Sequence, residues 1–137
     1  MEISVWGVVA ATIVQFIVGM VWYTGIFGKI WGEMHGFDKL SKEKQKEMMG
    51  KMAPFYAMQI AVTVLTAVVL AKLMVLLPDY SLYGLAVMVW IGFVVPTQFS
   101  AVAFGGTEPK WIVKKMLIMT LGTLACLLAG AWVLQMV

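Results

Sequence analysis

The sequence predicts an all-α, integral membrane four-helix bundle, with a short cytoplasmic helix between segments one and two. Three observations carry that prediction. Hydrophobic residues make up 62% of the 137 positions and charged residues 12%, against roughly 45–50% apolar in a soluble domain. A water-soluble core of this composition would leave large apolar patches exposed. Second, the mean hydropathy of +0.92 is concentrated in four long runs, each of which, at about 1.5 Å per helical residue, covers the roughly 30 Å of a bilayer core. Third, nine of the ten lysines lie in the connections after the first and third runs or in the opening turn of the fourth. The length allows one compact unit, residues 1–137, with spans at about 3–27, 54–77, 82–104 and 112–137 and a polar loop at about 28–53.

Segment one carries no charge after Glu2 and ends in Trp22, Tyr23, Phe27 and Trp31, ring types that favour the headgroup level. Glu2 stands where a signal peptide would be basic, and the apolar run continues to Ile26, so the segment is expected to stay attached. Gly7, Ala11, Gln15 and Gly19 recur in steps of four. They give one stripe of small or polar side chains where a second helix can approach closely.

The loop that follows holds six lysines, four acids and His35, the single histidine. Gly36, Phe37 and Asp38 read as a turn, and Ser41 as the N-cap of a short helix with Glu47 four residues before Lys51. Segment two opens at Pro54, where a bend is expected. Its Gln59, Thr63 and Thr66 share one face. Lys72 either snorkels to the nearer surface or lines a cavity that an anion visits.

Pro78, Asp79, Tyr80 and Ser81 make a short link, so segments two and three are expected to form a hairpin. Segment three has a polar second half, with Pro96, Thr97, Gln98 and Ser100. A kink at Pro96 frees carbonyls that these side chains could satisfy. Segment four repeats small residues at Gly122, Cys126 and Gly130, again in steps of four. With one cysteine in the chain, no intrachain disulfide is possible.

Lysine placement also gives an orientation. The loops after segments one and three share a side and, with the opening turn of segment four, hold nine lysines, so the positive-inside rule puts them in the cytoplasm and both termini outside. So strong a bias argues against insertion in both directions, and a homo-oligomer should be parallel.

Gly19, Trp22, Tyr23, Thr24, Phe27, Gly28, Lys29 and Trp31, followed by Trp90, Gly92, Phe93, Pro96 and Thr97, resemble the paired signatures of the domain-of-unknown-function family 1761. The resemblance covers nearly the whole chain, with Gly25 where many members carry proline. It implies a small four-span membrane protein and supplies no activity.

The chemical inventory is poor for an enzyme: one His, one Cys, and no acid within segments two, three or four. His35 with Glu33 and Asp38 is a weak trio for a metal that needs three or four ligands. No phosphate-binding glycine motif is present, and no cofactor or nucleic-acid partner is implied. On the hairpin reading Gln59 and Gln98 reach similar depth and, with Thr63, Pro96, Thr97 and Ser100, form either a solute site or a packing lock. The expected function is therefore a small transporter or channel for a solute or ion. The alternative is a non-catalytic scaffold or accessory subunit that docks a partner through the lysine-rich loop.

Overall fold

The computed structural model describes residues 3–137. Glu2, on which the retained first segment partly rests, lies outside the described residues. Among the described residues the chain is helical, without strands. The first span is α1 (Val5–Met20) continued by a wide, π-helical turn (Val21–Ile26). Next come α2 (Gly28–Met34), a 3-10 turn (Phe37–Lys39) and α3 (Lys42–Lys51). The second span is α4 (Ala53–Leu76). The third is built from α5 (Leu82–Val89), a second wide turn (Trp90–Val94) and α6 (Val95–Phe104). A 3-10 turn (Pro109–Trp111) leads into α7 (Ile112–Met136), the fourth span. All four are long and apolar enough to cross a bilayer, and the chain is a multi-pass membrane protein.

Serines start three of the helices. Ser4 Oγ accepts from the Gly7 amide at 3.0 Å, Ser41 Oγ from Lys44 at 3.3 Å and Ser81 Oγ from Gly84 at 3.4 Å. Each occupies one of the amides that a helix start leaves without a partner. Pro54 sits in the first turn of α4, after the chain breaks helix at Met52, so the expected bend is a change of helix.

The helix α7 is the hub, packed against α1, α4, α5 and α6. The hydrophobic core lies in the half of the bundle near the chain ends and the 78–81 link. There Ala11, Ala67, Ala86 and Ala131, one from each span, are all fully buried. The four belong to one buried cluster, so the spans pack directly on one another in this half.

The lysine-bearing half is different. From Lys42 to Val62, through α3 and the first half of α4, every residue but the half-buried Gln45 is exposed. This arm stands off the bundle. Gln45 ties its base to the preceding turn, donating to the carbonyls of Phe37 (2.9 Å) and Leu40 (3.3 Å).

Candidate functional site

The seam between α1 and α7 is made by two notches. A Cβ at Gly130 would lie 2.7 Å from Gln15 Nε2, and one at Gly122 would lie 2.7 Å from Trp22 Nε1. Each polar side chain thus rests where α7 has no side chain. Both use the position in the same way: Gln15 Nε2 donates to the Cys126 carbonyl at 3.2 Å and Trp22 Nε1 to the Ile118 carbonyl at 2.8 Å. Those carbonyls lie four residues before Gly130 and Gly122, so they already accept those glycines' own helical amides. Side chains lean toward the helix N-terminus and shield the preceding turn. A glycine there leaves the carbonyl's second lone pair open to a neighbour.

Cys126 Sγ returns a bond to the Gln15 carbonyl at 3.5 Å, and Gly19 faces it, 3.9 Å from where its Cβ would stand. Gly7, whose Cβ would meet Leu134 at 3.5 Å, and the buried Ala11 extend the seam toward the chain ends. The two small-residue stripes face each other.

A second indole joins from the opposite flank of α7. Trp90 Nε1 donates to the Thr120 carbonyl at 2.7 Å. Both tryptophans lie at the start of a wide turn, Trp22 second in its turn and Trp90 first: Trp22 O accepts from the Phe27 amide at 3.0 Å and Trp90 O from the Val95 amide, five residues on in each case. The second turn also accommodates Pro96, which has no amide to give and would crowd a regular turn before it. Trp22, near the end of the first span, turns its indole N–H inward to α7. The signal was present as the repeated Met-Val-Trp at 20–22 and 88–90. Phenylalanine at either position is expected to cost about 0.6 to 1.7 kcal/mol of bundle stability, read by denaturant titration in micelles.

Gln59 and Gln98 do not pair. Gln59 is exposed on the arm and donates along its own helix to Thr63 Oγ1 at 3.4 Å; Thr63 donates to the Gln59 carbonyl at 2.6 Å. Gln98 lies on α6, which packs on α7, and donates to Thr123 Oγ1 at 2.8 Å. Pro96, Thr97 and Ser100 are exposed on the outer face of α6, with Thr97 bonded back to the Phe93 carbonyl. Lys72 is exposed. An antiparallel hairpin equalises the depth of the two glutamines and leaves open which way each one faces.

Two acceptors in this region, Gln15 Oε1 and Gln98 Oε1, are buried without a partner. The consequence is an asymmetry. Gln98→Met removes an unmet oxygen together with one bond and should cost under about 1 kcal/mol, whereas Thr123→Val strands the Gln98 amide and should cost about 1–3 kcal/mol. Equal losses in a chemical unfolding series would show that the oxygen is satisfied.

At the lysine-bearing end, an open recess of about 600 Å³ lies between α2 with its following turn and the 105–111 connection. Gly36 (φ 72°) and Gly106 (φ 80°) turn the two walls in the left-handed region, where glycine has no steric penalty. The walls mix signs, with Glu33, Asp38 and Glu108 beside Lys39, Lys110 and Lys115. Beneath, Tyr23 meets Trp31 edge-on at 4.8 Å, Trp31 meets His35 at 4.6 Å, and Lys115 Nζ lies 5.8 Å from the Trp31 ring. His35 Nδ1 is held by the Trp31 carbonyl at 2.8 Å. Among the described residues no three His, Cys, Asp or Glu side chains converge as a metal would require, so the His35, Glu33 and Asp38 trio is not assembled.

No curated protein and no solved structure matches this chain. A family model does: residues 6–134 match the model described as a protein of unknown function, DUF1761. The match takes in both Met-Val-Trp turns, both α7 notches and the recess, and the chain is a member of the DUF1761 family of membrane proteins.

Proposed function

We propose that this protein is a non-catalytic membrane subunit that docks a partner along its lysine-rich arm, with that arm on the cytoplasmic side. One observation carries the reading: from Lys42 to Val62 every residue but Gln45 is exposed. The arm presents Met48, Met49 and Met52, which are 47%, 61% and 40% exposed, beside Lys46 and Lys51. Flexible, polarisable methionines beside cations suit a protein surface that must adapt. Farther along, Phe55, Tyr56 and Met58 continue the exposed apolar surface into the membrane. A partner with its own span could therefore follow the whole arm.

The bundle interior supports the same reading. The amide and indole donors of Gln15, Trp22 and Gln98 are spent on α7 carbonyls and a hydroxyl, and the core alanines Ala11, Ala67, Ala86 and Ala131 are fully buried. A transporter or channel would need a path between copies of the chain. The exposed Gln59, Thr97 and Ser100 give that second reading its footing, because polar groups facing lipid gain from meeting each other.

Photocrosslinkers at Met48, Met52 and Gln59 in cells discriminate between the two. A distinct protein captured from all three positions is expected. Capture of the chain by itself would favour a homo-oligomer and the transport reading, and capture of lipid alone would overturn both.

A further inference from the structure

Beside the wide turn that ends the first span lies an apolar groove of about 280 Å³, just under the small end of ligand pockets at about 300 Å³. Trp22 and Phe27 form one wall, their ring centroids 4.9 Å apart. Leu117 and Leu121 of α7 form the other, and both are strongly exposed, so the groove opens sideways to the surroundings of the bundle. Lys114 is the one charged residue in its lining. We propose that this groove seats an acyl chain of one anionic phospholipid, whose phosphate is held at the rim by Lys114.

The rim has the right charge. The two carboxylates that form ion pairs among the described residues, Glu47 and Glu108, are taken by Lys51 and Lys110, and no acid lines the groove. Lys114 Nζ lies 5.5 Å from the Trp111 ring, while the next residue, Lys115, turns to Trp31 and the polar recess. Adjacent lysines thus serve two different surfaces. The wall is also fixed in place. Trp22 is pinned through its indole to the Ile118 carbonyl, and the wide turn brings Phe27 beside it. Ordinary lipid-facing aliphatic surface has no such preformed slot. A protein helix, about 10 Å across with its side chains, is too thick for it, whereas one hydrocarbon chain is not.

The test uses the full-length protein in phosphatidylcholine nanodiscs doped with phosphatidylglycerol, with retained lipid counted by native mass spectrometry after transfer to detergent. One phosphatidylglycerol per chain should be retained in preference to phosphatidylcholine. Lys114→Gln should weaken that retention about fivefold, the equivalent of about 1 kcal/mol for one lysine near a lipid surface. Lys46→Gln, on the arm, should leave it unchanged. Leu121→Trp fills the slot without changing charge and should abolish retention, with helical circular dichroism confirming that the variant folds. Equal retention of the two lipids would overturn the proposal. So would equal losses from Lys114→Gln and Lys46→Gln, which mark diffuse attraction, or full retention by folded Leu121→Trp.

Discussion

Alanine at Gly122 and at Gly130 is expected to weaken the bundle by about 1–3 kcal/mol at each site, the usual cost of forcing a methyl group into a packed interior. Helix propensity alone predicts the opposite sign, since alanine is favoured over glycine by about 0.8–1.0 kcal/mol inside a helix. Packing decides the sign here. The new Cβ would stand 2.7 Å from Trp22 Nε1 in one case and from Gln15 Nε2 in the other. Neither side chain can retreat freely, because each donates to the α7 carbonyl beneath it. The two sites lie eight residues apart, about 12 Å along the helix, so the losses should add. Gly50 and Gly92 are internal controls, because a Cβ at either meets nothing within 4 Å. Alanine there should be neutral or stabilising by a few tenths of a kcal/mol or more. Unfolding in mixed micelles, followed by helical circular dichroism, gives all four values. Four equal shifts would show that the notches carry no packing.

The four spans were legible because membrane insertion reads composition over some twenty residues, a property a linear sequence states directly. The stripes Gly7–Ala11–Gln15–Gly19 and Gly122–Cys126–Gly130 were legible for a similar reason, since a step of four returns to the same helix face. What fills a notch was not. Trp22 can close a span and still turn its indole N–H inward, and only the register of α1 against α7 brings it to the Ile118 carbonyl. The wide turns were hidden because an i+5 bond depends on the tertiary anchor that each indole finds; the repeated Met-Val-Trp was the available clue. Gln59 and Gln98 show the limit of depth arguments. Two helices running antiparallel fix height and leave azimuth free, and α6 turned Gln98 to Thr123 while the arm carried Gln59 away.

Leucine at Ala131 tests the packed core on which the choice between docking and permeation turns. Ala131 is fully buried, as are Ala11, Ala67 and Ala86, so the larger side chain has no neighbour that can yield without moving a helix. Overpacking costs about 1–3 kcal/mol where a core can adjust and more where it cannot, and the upper end is expected here. Ala61→Leu, on the exposed half of α4, adds the same atoms where they meet only surroundings and should change stability by less than about 0.5 kcal/mol. A hydrated passage along the bundle axis would reverse the expectation, since a side chain growing into a lumen displaces water and is tolerated. Stability of Ala131→Leu close to that of Ala61→Leu would therefore reopen permeation through a single copy. A large loss confined to Ala131→Leu leaves any conducting path to the contacts between copies, and directs the search for function to the arm between Lys42 and Val62.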